Sequence, residues 1–305
     1  MKKTILHIAF LFALVASCAA QHVPVVSQYM LNGLPLNPAF TGSRDALSIA
    51  GSYRNQWTGY EGAPVNQTFG IHTPLKNDAI GVGLLLFNDH IGVSNESGVH
   101  AMASYRLKLG EGKLSFGLSG GISNYRNQWS NVVTTDSGDR VFSSGNDQYI
   151  LPNFSAGMYY YTKSYYVSLS SPFILSQKYS GVNEYRASNN FSHYNILLNA
   201  GWKYNLNQNF SVIPSAMLKV GPGSPMQLDV NAMVGYKEIV EAGFSYRTGD
   251  AIIALVKMHP TGQFTVGYAF DYTISNLGTY TGVSHEVTLM YDFKYKTNIS
   301  SPRFF

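Results

Sequence analysis

The sequence predicts an all-β fold, a transmembrane antiparallel up-and-down β-barrel of about 14 strands, with short periplasmic turns and long extracellular loops. Three observations predict it. Apolar and polar residues alternate with a period of two through most of 46–296. The links between the alternating runs are short and long by turns, the arrangement of outer-membrane barrels. Hydrophobic residues are 45% and aromatics 14%, yet Asp, Glu, Lys and Arg are only 12%, about half the charged share of a soluble domain. That balance excludes a disordered chain and a charge-laced helical protein. No stretch after residue 20 approaches the ~18 apolar residues of a membrane helix.

The elements follow in chain order. Lys2-Lys3, an apolar run over 5–16 and the small residues Ala16-Ser17-Cys18-Ala19-Ala20 read as a secretory signal over 1–20. Cleavage is expected near Ala20. Val15-Ala16-Ser17-Cys18 also resembles a lipoprotein box, which would leave a lipidated Cys18. Cleavage near Ala20 would leave no cysteine at all, which excludes a disulfide scaffold. From Gln21 onward Lys and Arg exceed Asp and Glu by only two, too little to suggest a nucleic-acid partner.

Residues 21–45 form a pre-barrel segment. Pro35 and Pro38 and the lack of alternation argue against a strand there. It is either a periplasmic lead-in or a plug in the lumen.

Residues 46–296 form the barrel. Strands are expected at 46–55, 64–73, 79–88, 96–109, 113–125, 153–162, 165–172, 191–205, 209–219, 225–237, 240–248, 251–258, 262–272 and 285–296. The last is the clearest, with Val287, Leu289, Tyr291, Phe293 and Tyr295 against Glu286, Thr288, Asp292, Lys294 and Lys296. The first, third and twelfth alternate less cleanly. Tight turns fall at 76–78, 110–112, 163–164, 206–208, 238–239 and 259–261. Longer links fall at 56–63, 89–95, 126–152, 173–190, 220–224 and 273–284. Both termini and the tight turns are then expected in the periplasm, and 126–152 and 173–190 at the cell surface. Residues 297–305 form a C-terminal tail.

Fourteen strands enclose a lumen too wide for wall side chains alone to fill. This favours a polar interior and an apolar face in lipid. Arg106, Lys203, Asp229, Arg247, Asp271 and Asp292 all fall in the polar phase. On the lipid face a mid-depth Arg or Lys would cost ~2–4 kcal/mol. Leu289 is thus expected to face lipid, and Thr288 a water-filled lumen.

Tyr53-Arg54-Asn55-Gln56-Trp57 recurs letter for letter as Tyr125-Arg126-Asn127-Gln128-Trp129. The pair is either a shared surface patch or two interfacial aromatics with an Arg at the rim. Little reaction chemistry is present. There is no P-loop, dinucleotide turn, His-Glu-x-x-His or G-x-S-x-G, and the histidines lack metal-ligand spacing. Asp89-His90 at a loop base is weak evidence for a barrel hydrolase. Asp136, Asp139 and Asp147 lack calcium-loop spacing. No catalytic residue, metal or cofactor is expected, and the chain is not read as an enzyme.

Gln28-Tyr29-Met30-x-Asn32 with Asn37-Pro38-Ala39-x-Thr41-Gly42 resembles the opening of the PorP/SprF family of Bacteroidota. Tyr53-Arg54-x-Gln56-Trp57, followed by Gly59 and Gly62-Ala63-Pro64, resembles it too, as does the terminal Ser301-Pro302-Arg303-Phe304-Phe305. Phe40 departs from the family's usual Tyr. The resemblance implies an outer-membrane protein of the type IX secretion system. Its partners would be the secretion or gliding machinery and a large surface adhesin with a type B C-terminal signal, which it helps deliver or anchor. The alternative is a porin-like channel for small solutes. The candidate interaction residues are Gln28, Tyr29, Met30, Asn32, Asn37, Pro38, Arg54, Gln56, Trp57, Arg126, Gln128 and Trp129.

Overall fold

A computed structural model describes residues 25–75, 78–131, 146–179, 185–190, 194–221 and 224–293. The signal segment and the tail at 297–305 lie outside them, as do Lys294, Tyr295 and Lys296 of the last expected strand. Seventeen strands are described: β1 (Leu47–Asn55), β2 (Val65–Pro74), β3 (Ile80–Ile91), β4 (Ser94–Leu109), β5 (Gly112–Asn127), β6 (Asp147–Tyr161), β7 (Tyr165–Ser171), β8 (Leu175–Tyr179), β9 (Tyr185–Asn189), β10 (Ile196–Trp202), β11 (Tyr204–Asn205), β12 (Phe210–Val220), β13 (Gln227–Tyr236), β14 (Val240–Arg247), β15 (Ala251–Met258), β16 (Phe264–Thr273) and β17 (Ser284–Phe293). All pair antiparallel with their neighbours. β1 pairs with β17 from Leu47↔Phe293 to Asn55↔His285. β10 pairs with both β7 and β12, so the sheet closes.

β10 and β11 are one wall strand interrupted at Lys203, since both pair with β12. β8 and β9 form a separate hairpin inside the link expected at 173–190. The wall is therefore a closed 14-strand antiparallel barrel.

The boundaries differ from expectation at the long-loop end. The link expected at 89–95 shrinks to Gly92-Val93, because β3 runs to Ile91 and β4 starts at Ser94. β5 and β6 likewise extend to Asn127 and from Asp147. Beyond the hydrocarbon both faces of a strand meet water, so the alternation that marks a strand fades there while its ladder continues.

The apolar phase faces outward. In β13, buried Asp229, Asn231 and Met233 alternate with exposed Leu228, Val230 and Val234. Exposed Trp202, Tyr204, Tyr236 and Phe293 ring the short-turn end, and Tyr53, Tyr246 and Tyr272 the long-loop end, as interfacial aromatic girdles do. Leu289 is 47% exposed, whereas Thr288 is 1% exposed. Thr288 points inward as expected, but not into water. One step along the strand, inward Met290 packs with Leu31 and Ala50. Leu289→Arg is therefore expected to cost ~2–4 kcal/mol of stability in lipid vesicles. Leu289→Ala should cost clearly less, and equal urea midpoints for the two variants would overturn the assignment of faces.

Residues 25–46 account for the packed interior. All but a few are buried, and they run inside the barrel. Ser27 and Gln28 meet Glu286, near the start of β17 at the long-loop end. Arg44 meets Asp292, near its other end. The chain thus enters the described structure at the long-loop end and descends the lumen to begin β1 at the short-turn end. The expectation that both termini lie at the short-turn end is corrected for the start of the described chain, since Val25 sits with Lys219, Thr248 and Asp250 around the long-loop mouth. The lumen also explains the poorly alternating twelfth strand. Inward Ile253 and Leu255 of β15 are apolar because they join a luminal core with Tyr29, Met30, Leu34 and Phe40.

Candidate functional site

The luminal segment is short of regular structure, so its backbone groups need partners from the wall. Inward serines supply several. Ser170 Oγ donates to the Leu36 carbonyl at 2.7 Å, Ser115 Oγ to that of Ala39 at 2.7 Å and Ser104 Oγ to that of Thr41 at 2.7 Å. Asn37 caps a 3-10 turn at Pro38–Phe40, its Oδ1 accepting from the Ala39 amide at 2.8 Å. Pro38 suits the first position of that turn, since its fixed φ and missing N–H cost nothing there. Asn37 Nδ2 meanwhile donates to Ser168 Oγ at 2.8 Å and to the Met158 carbonyl at 2.9 Å. The wall is shaped to match. A Cβ at Gly117 would collide with the backbone of Pro38 and Ala39, and one at its cross-strand partner Gly157 with the Asn37 amide.

Two buried charge clusters hold the ends. At the long-loop end Arg54 pairs with Asp271 at 2.8 Å and Glu286 at 3.4 Å. Arg247 pairs with Asp229 at 3.1 Å and Asp271 at 3.4 Å. Both arginines also donate to Ser27 Oγ, at 3.0 and 3.1 Å, and Ser27 Oγ donates to Asp271 at 2.8 Å. Glu286 accepts the amides of Ser27 and Gln28 at 2.8 and 3.1 Å. At the short-turn end Arg44 grips Asp292 through Nε and Nη2, closest at 2.7 Å. The Gly42 amide donates to His72 Nδ1 at 2.9 Å, and Asp45 pairs with Lys113 at 3.0 Å.

Most of the residues singled out in the sequence meet in this assembly. Gln28 also donates its side-chain amide to the Glu286 carbonyl at 3.1 Å. Tyr29 OH accepts from Asn231 Nδ2 at 2.6 Å. Met30 is buried in the luminal core. Asn32 Oδ1 accepts the Leu34 amide at 3.3 Å. Gln56 is buried at the rim, its amide donating to the Pro64 carbonyl at 2.9 Å. Trp57 takes a positive φ of 49°, and its amide donates to Ser284 Oγ at 3.0 Å.

The second pentapeptide lies elsewhere and faces the other way. Arg54 and Gln56 are buried, whereas Tyr125 points inward and stacks on Tyr149 at 5.1 Å. Arg126 and Gln128 are exposed or nearly so, and Trp129 Nε1 donates to Asp147 at 2.9 Å. A side-chain period of two means that a one-residue change of phase turns a whole motif over. The identical letters therefore build two different environments and no shared patch. Asp136 and Asp139 lie outside the described residues. The partners that sequence reasoning left unpaired are Asp271, Glu286, Asn231 and the inward serines, whose signal was a polar residue in the inward phase.

This geometry can hold and position. Among the described residues, no three metal-ligating side chains cluster. The family described as "Type IX secretion system membrane protein PorP/SprF" matches residues 18–291. The chain belongs to the PorP/SprF family. It is thus an outer-membrane component of type IX secretion, and its family and fold are not those of a known enzyme class. No curated protein matches it. Among solved structures, the toluene transporter TbuX of Ralstonia pickettii aligns over 85% of this chain and 92% of that one, with a TM-score of 0.50 and 8% identity. Omp33 of Acinetobacter baumannii aligns over 83% and 100%, with a TM-score of 0.48 and 9% identity. At such identities the likeness to TbuX speaks for the barrel fold alone. The wall of this PorP/SprF barrel follows a common outer-membrane plan, and the chain it encloses is what sets its interior.

Proposed function

We propose that this barrel is an anchor of type IX secretion: its long-loop face holds a large exported adhesin bearing a type B C-terminal signal, and its periplasmic end meets the secretion or gliding machinery. The observation that carries the reading is the filled lumen. A segment tied to the wall by the buried Arg44–Asp292 ion pair at one end, by hydrogen bonds of Ser27 and Gln28 to a buried charge cluster at the other, and along its length by serine hydroxyls opposes passage of solutes. The candidate residues Gln28, Tyr29, Asn37 and Arg54 then act by fixing that segment, which keeps the long-loop rim in one shape for a client to dock on. On this reading the exposed Arg126 and Gln128 touch a client directly.

The test is a surface proteome of the deletion strain, with uptake of small solutes measured in parallel. One large adhesin should vanish from the surface while other exported proteins and solute uptake persist. An unchanged adhesin profile with lost uptake would instead establish a porin.

A further inference from the structure

The luminal segment leaves a cavity unfilled beside it. It lies against β1–β4 in the long-loop half of the barrel, with a volume of about 60 Å³. That is room for about four waters, or for the end of one long side chain. Leu34, Pro35, Leu85, Phe87 and Met102 make most of it apolar.

Its polar edge is a row of inward cross-strand neighbours. The register runs Glu286↔Arg54, Arg54↔Asn66, Asn66↔Asp89 and Asp89↔Glu96. Arg54 is held by Asp271, Glu286 and Ser27. Neither Asp89 nor Glu96 has a cation partner among the described residues. Among the described residues Asp89 accepts only the Asn66 side-chain amide, at 2.9 Å. With its NH2 group so engaged, Asn66 leaves Oδ1 buried and unpartnered. His100 Nε2 is also buried and unpartnered, as is Glu96 Oε1. Asn66 is 6% exposed and His100 4%, and both line the cavity. Buried polar atoms are nearly always satisfied in a working state. Asn66 Oδ1 and Glu96 Oε1 are unmet acceptors, and His100 Nε2 is one in its Nδ1–H tautomer, beside two carboxylates without a counter-charge among the described residues. Two further polar atoms are unmet: Arg54 Nε, across the row, where it could donate to a carbonyl, and the Ser123 hydroxyl, which with that of Tyr125 lies beside Glu96.

We propose that this cavity is a binding site for an ammonium or guanidinium group on an apolar stem, with Asp89 of its lining and Glu96, the cross-strand neighbour of Asp89 just outside the lining, as counter-ions, and Asn66 Oδ1 and the Nδ1–H tautomer of His100 as acceptors. A metal ion fits less well. The two carboxylates and one amide oxygen fall short of the six to eight oxygens calcium takes, and the lining is apolar. A lysine or arginine side chain on a polypeptide and a free alkyl diamine share the required chemistry. The site does not depend on the anchoring role, and a barrel that anchors nothing could still hold it.

The test uses the full mature chain in detergent micelles and isothermal calorimetry. The probes are 1,5-diaminopentane, N-acetyl-arginine amide, N-acetyl-norleucine amide and calcium chloride. A cationic probe is expected to bind about tenfold or more tightly than the neutral one, and Asp89→Asn and Glu96→Gln each to weaken it by about tenfold. Far-ultraviolet circular dichroism of each variant checks that the barrel is intact, and the two variants report separately should one fail to fold. Binding of the arginine amide would assign the site to a polypeptide, and of the diamine alone to a small amine. Cation binding no tighter than that of norleucine amide, full affinity in the folded variants, or binding of calcium with neither cation would overturn the proposal.

Discussion

Excising residues 26–40 is expected to convert a barrel that conducts no ions into an open pore. In planar bilayers the intact protein should show a flat baseline, and the excised form stepwise conductance that scales with salt. The wall itself does not depend on the excised residues for its ladder, because β1 pairs directly with β2 and β17. What leaves is the packing of Tyr29, Leu34, Leu36 and Phe40 across the lumen. A barrel of 14 strands without that filling encloses a wide aqueous channel. Full conductance by the intact chain would sink the account of the lumen as closed, and with it the main support for an anchor over a porin.

Arg247→Met should be the most damaging single substitution in the lumen. Arg247 has no measurable exposure, and its guanidinium lies between Asp229, Asp271 and the more open Asp250. Removing one partner of a buried ion pair costs about 3–5 kcal/mol, because the remaining charge keeps its desolvation penalty and loses its compensation. Here Asp229 loses its one ion-pair partner among the described residues, while Asp271 still has Arg54. Urea unfolding in vesicles of defined lipid would measure the loss. The double variant Arg247→Met/Asp229→Asn should recover a large part of it, since it removes the stranded carboxylate. A double variant no better than the single one would place the effect in packing and not in charge.

The wall was readable because a lipid-facing strand leaves a simple trace. Every second residue must be apolar, and Val287-x-Leu289-x-Tyr291-x-Phe293 could hardly be anything else. The interior was not readable in the same way. Residues 25–46 mix Tyr, Leu and Phe with Gln, Asn and Arg because they pack against a wall that is itself part serine and part isoleucine. Their hydrogen-bond partners lie up to 259 residues away in sequence, beyond any local pattern. The paired pentapeptides show a further limit. Composition and order were identical, yet the phase of the strand decides which face each letter meets. The sequence also hid Lys203, whose place in an unbroken alternation gave no sign that it would interrupt β10 from β11.

The course of the luminal segment constrains how the barrel can be assembled. The seam between β1 and β17 joins the two ends of the wall, and the segment is continuous with β1. Once that seam is zipped, some twenty residues carrying Arg44 and the bulk of Tyr29 and Phe40 would have to be pulled the length of a closed tube. Those residues must therefore lie between the sheet's two edges before the edges meet. Their contacts reach both halves of the sheet, Ser104 and Ser115 on one side and Asn231 and Asp271 on the other. The N-terminal segment is then taken in as the sheet curls, while the seam that shuts around it is made by wall strands alone.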